Sequence, residues 1–202
     1  MNSINIKERT IGPEEPVFVI AEAGVNHNGS MEIAKELIDI ATDAGADAVK
    51  FQKRNLPQTY LRSIVDDPAI AEMGIEYTVS NRKDVMLTDD QFGELEAYCG
   101  EQGIQFLCSP WDISSVDFLE TLELPIYKVG SPDMTNFVLI ERLAETGRPL
   151  LISTGMAEET EIDATVQFLN ELEVEFGLLH CRSEYPAALH NLNLSFMQEL
   201  RE

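Results

Sequence analysis

Residues 17–30 read Val-Phe-Val-Ile-Ala-Glu-Ala-Gly-Val-Asn-His-Asn-Gly-Ser, and the fold follows from how this stretch is parsed. A continuous apolar run bounded by turn residues reads as a buried strand, here Val17–Ala21. Glu22 then stands where the strand leaves the core, and a Gly/Asn/His turn leads into a helix-like pattern. In α/β enzymes the C-terminal strand ends carry the chemistry, because rigid strands hold the side chains while the following loops vary freely. Glu22 is therefore either an ordinary strand exit or a site residue.

The same unit repeats along the chain as an apolar run, a short polar turn and an amphipathic helix. Further strands are expected at Ala48–Gln52, Gln105–Ser109, Ile126–Gly130, Leu150–Thr154 and Phe176–Cys181. Helices are expected with Ala34, Leu37, Ile38 and Ala41 on one face, from the capping box Thr88-x-x-Gln91 through Phe92, Leu95 and Cys99, and over Ser114–Glu123, Asn136–Thr146, Glu159–Glu173 and Leu194–Glu202. Alternating strands and helices imply parallel strands with right-handed crossovers. From the third strand on, strand starts fall about 20–26 residues apart, the cadence of a (β/α)8 TIM barrel, of which six units are visible. A doubly wound sheet is the rival, but its G-x-G-x-x-G phosphate fingerprint is missing. The expected class is α/β of the TIM-barrel type, truncated to about the first six βα units, with residues 1–202 as a single domain. Lys53–Met86 is a long insertion, the kind that forms lids.

Composition narrows the function. With 36 acidic and 14 basic residues the net charge is −22, which argues against nucleic acid or an anionic membrane as partner. Neither a signal peptide nor a membrane span is evident, giving a cytoplasmic reading. Cys99, Cys108 and Cys181 show no metal or disulfide spacing and read as buried small thiols.

On so acidic a chain, cations at strand ends stand out. Aligning the strand ends gathers Glu22, Asn26 and His27; Lys50, Gln52 and Lys53; Ser109, Trp111 and Asp112; Lys128, Ser131 and Asp133; Ser153 and Thr154; and Arg182, Ser183 and Tyr185. A lysine within an apolar strand is costly unless paired, so Lys50 and Lys128 each read either as a structural ion pair with Glu22 or another strand-end acid, or as a cation for a bound anion. Ammonium groups, hydroxyls and backbone N–H groups together make a phosphate or carboxylate site. The residues point to an enzyme acting on an anionic small molecule. Trp111 and His180 read as packing residues, and His27 as either a substrate donor or a turn-stabilising residue.

Ile20–Gly29 (Ile-Ala-Glu-Ala-Gly-Val-Asn-His-Asn-Gly), Val49-Lys-Phe-Gln52, Tyr127-Lys-Val-Gly-Ser131, Ile152-Ser-Thr-Gly-Met156 and Leu179-His-Cys181 with Tyr185-Pro186 together resemble, in order, the N-terminal catalytic barrel of N-acetylneuraminate (sialic acid) synthases. Their relatives include legionaminate, pseudaminate and spore-coat polysaccharide synthases. The resemblance implies a transferase that condenses phosphoenolpyruvate with an N-acyl-mannosamine-type amino sugar and releases phosphate. It implies Lys50, Ser109, Lys128, Ser131, Ser153 and Ser183 as phosphoenolpyruvate-binding residues, Gln52, Asp133 and Tyr185 on the sugar, and Glu22 in proton handling. It also implies a divalent cation, Mn2+ or Mg2+, whose family histidines lie on strands that these 202 residues do not include, so no metal ligand is assigned. The family's seventh and eighth strands and its antifreeze-like domain have no counterpart here, so the chain is expected to be either a fragment of a longer enzyme or completed by another chain, with a homodimer or a complementing chain as the candidate partner. Ser109 replaces a more usual Thr, and Arg182-Ser183-Glu184 replaces Thr-Asn-x. Two alternatives stand beside this reading: a truncated, non-catalytic barrel that binds a sugar or anion, and a Schiff-base aldolase using Lys128.

Overall fold

The computed structural model describes residues 3–67, 85–184 and 186–201. In chain order the elements are β1 (Ile4–Ile6), β2 (Arg9–Ile11), β3 (Ile20–Gly24), α1 (Met31–Asp43), β4 (Ala48–Lys53), α2 (Leu56–Thr59), α3 (Arg62–Asp66), α4 (Asp89–Gln102), β5 (Gln105–Pro110), α5 (Ile113–Glu120), β6 (Tyr127–Val129), a 3-10 turn (Ser131–Asp133), α6 (Phe137–Ala144), β7 (Leu150–Ser153), α7 (Glu159–Glu171), β8 (Phe176–Leu179) and α8 (Phe196–Glu199). Two compact units divide the chain, Phe18–Leu124 and Met1–Val17 with Pro125–Glu202.

In the unit Phe18–Leu124 the strands run parallel in the order β3-β4-β5. The first strand sits three residues later than its apolar run suggests. Val17 is 82% exposed, and the β3–β4 ladder begins only at Ile20 opposite Ala48. Just before that start, the Asp47 carboxylate accepts from the Val19 N–H at 2.7 Å. Hydrophobicity alone could not reveal that contact. Glu22 consequently lies within the strand rather than beyond it.

Helix α1 starts at Ser30, whose hydroxyl accepts from the Ile33 N–H, and buries Ala34, Ile38 and Ala41. Helix α4 starts at the expected Thr88/Gln91 capping box and buries Phe92, Leu95 and Cys99. The two helices join at their exposed edges through Lys35–Glu94 (2.6 Å) and through Tyr98 Oη donating to Asp39 (2.8 Å). Period-2 alternation along β4 separates two roles. Phe51 stacks on Phe106 of β5, and Lys53 sits over the rings of Phe92 and Phe118 with its ammonium on Asp89 at 2.5 Å. These residues therefore share the helix-covered face, leaving Lys50 and Gln52 on the other.

In the second unit the parallel order is β6-β7-β8. Helices α6 and α7 meet edge-to-face through Phe137 and Phe168, and Thr165 Oγ1 donates to the Met134 carbonyl. An antiparallel hairpin, β1–β2, precedes the repeating units. Sequence reading missed it because only Ile4 and Ile6 of an otherwise polar segment are buried. A Cβ on Gly177 would come within 3.2 Å of Leu151 and 3.3 Å of Ile4, so the hairpin packs against the sheet face carrying Leu151. Lys128 pairs in register with Leu151, so both belong to that face. Among the described residues no helix is long and apolar enough to cross a membrane.

Candidate functional site

One cluster grows from the β3–β4 register. Glu22 is paired opposite Lys50, and an irregularity between Glu22 and Gly24 shifts the ladder by one residue. Such a bulge re-aims side chains at a strand end. Glu22 Oε2 lies 2.6 Å from the Lys50 ammonium, and Lys50 Nζ donates to Ser109 Oγ at 3.3 Å. Lys50 thus has the acidic partner that its burial demanded. Gly24 adopts φ +54°, and a Cβ there would meet Glu22 Oε1 at 3.2 Å and Gln52 Nε2 at 3.4 Å. Glycine therefore serves both the backbone turn and the close seating of these two side chains.

A second cluster forms at the ends of β6 and β7. Lys128 Nζ donates to Ser153 Oγ and to the Val129 carbonyl, both at 2.6 Å. Ser131 Oγ accepts from the Gly155 N–H at 3.1 Å. Cys181 Sγ donates to Ser153 Oγ at 3.1 Å, and Gly155 packs so closely on Cys181 that a Cβ would lie 3.0 Å from its side chain and 3.1 Å from its backbone.

This corrects the reading of the cysteines. Cys99 and Cys108 are buried, and burial pushes each thiol up to about 12. Cys181 is only half-buried and touches a candidate anion donor. Thiolates are the reactive form, so a thiol-specific disulfide reagent should titrate one fast thiol in the folded chain and three in denaturant. Two or three fast thiols under native conditions would contradict this burial pattern.

The remaining strand-end residues separate by role. Asp133 accepts from Asn136 Nδ2 at 3.0 Å within the turn that follows β6. Ser183 is exposed beyond β8, where Arg182 and Glu184 approach each other at 4.0 Å. Tyr185, like residues 68–84 of the insertion, lies outside the described residues. Asp112 is a buried helix cap rather than a ligand-facing acid. His27 resolves toward the turn-stabilising alternative: it is buried, and its Nδ1 accepts from the Gly29 N–H at 3.1 Å. Burial lowers its pKa, which favours the neutral ring that such an acceptor requires. His180 Nε2 hydrogen-bonds with the Leu192 carbonyl, and its ring packs near Phe196, a structural role. Trp111 lies under the Arg54 guanidinium, 3.8 Å from the ring centroid, as a packing residue would. Sequence reading missed Arg54, Gly24, Gly155 and the Cys181 contact. A Gly two residues beyond a site acid and another two beyond a site Ser were the available signals.

Among the described residues no three His, Cys, Asp or Glu side chains come together to hold a metal. What each unit does form is a strand-borne ammonium on a serine hydroxyl, Lys50 with Ser109 and the Glu22 carboxylate in one and Lys128 with Ser153 in the other. Such groups suit an oxyanion.

Residues 37–202 match the NeuB family. The chain is 37% identical to an uncharacterized protein of Methanocaldococcus jannaschii, covering 100% of this chain and 56% of that protein. It is 36% identical to the human N-acetylneuraminate-9-phosphate synthase, covering 96% of this chain and 54% of the enzyme. The chain therefore spans about half the length of these relatives. A crystal structure of the N-acetylneuraminic acid synthetase of Leptospira borgpetersenii superposes with a TM-score of 0.86 at 31% identity, over 99% of this chain and 66% of that one. The fold class is α/β of the TIM-barrel type, represented among the described residues by six βα units. With the ordered strand-end motifs, the two lysine clusters and this match across most of its length, the chain belongs to the NeuB family.

Proposed function

We propose that this chain carries the phosphoenolpyruvate-handling part of a synthase that joins phosphoenolpyruvate to an N-acyl-mannosamine-type sugar. The observation that carries the reading is the pair of buried strand lysines, Lys50 and Lys128, each within hydrogen-bonding distance of a serine. Ammonium groups with serine hydroxyls beside them suit the oxygens of an anionic ligand, which at Lys50 would meet the place that Glu22 holds. In this reading Lys50, Ser109, Lys128, Ser131, Ser153 and Ser183 hold the phosphate and carboxylate, while Gln52, Asp133 and Tyr185 face the sugar. The small-molecule substrates and a dimeric or complemented assembly belong to the same proposal.

The balanced step forms a bond between C3 of phosphoenolpyruvate and the sugar aldehyde carbon, whose oxygen becomes a hydroxyl on taking a proton. Water adds at C2 and phosphate leaves. In this reading Glu22, at the bulged end of β3, orients that water or moves its proton. Lysine ammoniums fixed in advance stabilise the charge that gathers on the departing phosphate without reorganising.

Calorimetric titration with phosphoenolpyruvate tests the reading. Wild-type chain should bind, and Lys50→Met should weaken binding at least about tenfold, the loss of a charge-assisted contact. Borohydride reduction in the presence of pyruvate should leave Lys128 unmodified, since this route forms no imine. A folded chain that binds no phosphoenolpyruvate, or a trapped adduct on Lys128, would overturn the reading in favour of a non-catalytic barrel or an aldolase respectively.

A further inference from the structure

We propose that the Glu22 carboxylate is a built-in counter-anion that occupies Lys50 until the substrate anion displaces it. The inference rests on the reading that Lys50 binds the substrate's negative charge.

The two partners are unequal. The Lys50 side chain is 6% exposed and the Glu22 side chain 55%, across an ion pair of 2.6 Å. The ammonium is therefore fixed in the protein while the carboxylate stands at the solvent boundary. Swinging Glu22 away exposes a carboxylate that is already largely hydrated, whereas leaving Lys50 without an anion strands a buried charge. Ser109 supplies Lys50 with a neutral acceptor at 3.3 Å, too weak a partner to replace an ion. An incoming phosphate or carboxylate supplies what Glu22 supplies, with more acceptor oxygens.

Both anions cannot share the ammonium cheaply, because like charges within a few ångströms repel strongly where water is scarce. Exchange is the arrangement that keeps one negative charge on Lys50 in both states. Gly24 carries no Cβ, so the Glu22 carboxylate and the Gln52 amide both sit close against the backbone there while Glu22 is paired with Lys50. Glu22 thereby sets anion affinity by competing for Lys50, and it is free for its own chemistry only once the anion has arrived.

The test compares wild type, Glu22→Gln and Glu22→Ala by calorimetry with inorganic phosphate and with phosphoenolpyruvate. Melting temperatures verify that the variants fold. Removing the competitor should tighten binding of both ligands about tenfold, a factor that corresponds to losing one exposed-side ion-pair competitor. In wild type, the Glu22 carboxyl carbon-13 resonance, assigned by its loss in Glu22→Gln, should shift on adding phosphate. If wild type binds and both variants bind equally or more weakly, or if the resonance stays still at saturation, the exchange is wrong while the phosphoenolpyruvate reading stands. If wild type binds neither ligand, that reading fails and takes the exchange with it.

Discussion

Lys128→Met should reduce phosphoenolpyruvate affinity by at least about 30-fold while leaving the fold standing. Lys128 is buried at the end of β6, with its ammonium 2.6 Å from both Ser153 Oγ and the Val129 carbonyl. Truncating a buried, hydrogen-bonded charge at a binding site costs roughly 2–5 kcal/mol of affinity, and about 1.4 kcal/mol is tenfold. Met fills a similar volume without charge, so the stability cost is set by the hydrogen bonds lost at Ser153 Oγ and the Val129 carbonyl, about 1–3 kcal/mol for each group left unsatisfied. Lys128→Arg should not rescue binding, because the planar guanidinium cannot follow the bend that brings a compact ammonium onto both oxygens. Calorimetry and a thermal melt on the same samples check both halves. Unchanged affinity in a folded Lys128→Met chain would remove Lys128 from the binding site.

Asp112→Ala should lower stability by roughly 3 kcal/mol or more, the largest effect expected of a single residue outside the lysine clusters. Its carboxylate accepts from the Asn55 N–H (2.6 Å), the Ser115 N–H (2.8 Å), Ser114 Oγ (2.7 Å) and Ser115 Oγ (2.8 Å). It therefore caps α5 and also ties that helix to the segment leaving β4, where Lys50 and Gln52 are carried. Alanine leaves two backbone N–H groups and two hydroxyls short of a partner at once. For a chain of this size 3 kcal/mol corresponds to a melting temperature lower by about 6–12 °C. Asp112→Asn, which retains one oxygen acceptor, should lie between. Urea unfolding provides the measurement, and a loss below about 1 kcal/mol would mean that the carboxylate does not hold this junction.

Asp112 also shows how a site can be half-legible. At the end of a strand, next to Ser109 and Trp111, an acid reads equally well as a ligand or as a cap. Ser115, three residues on, is a local cap partner, whereas Asn55, 57 positions away, meets Asp112 only after folding. Lys53 is similar. It stands three residues beyond Lys50, yet odd spacing on a strand sends it to the opposite face, where it meets Phe92, Phe118 and Asp89.

The alternation of apolar runs with capped amphipathic helices, visible in residues such as Thr88, Gln91, Ala34 and Ile38, was sufficient by itself to determine the βα repeat and the parallel class. These are local properties, set by backbone periodicity and by unsatisfied helix-end N–H groups. The same linear reading placed Lys50 and Lys128 inside apolar strands and required partners for them, because a buried charge without one is too costly. Only the tertiary structure chose the partners. Glu22 rather than another acid meets Lys50 because the β3–β4 register sets the two side chains opposite one another. Ser153 meets Lys128, and Cys181 meets Ser153, because three strands distant in sequence end side by side. The hairpin under Leu151 was likewise decided by packing, since one alternation, Ile4 and Ile6 about an exposed Asn5, is too short to read as a strand. Partner choice and register depend on which strands pair and where each ladder begins, and those are properties of the folded chain.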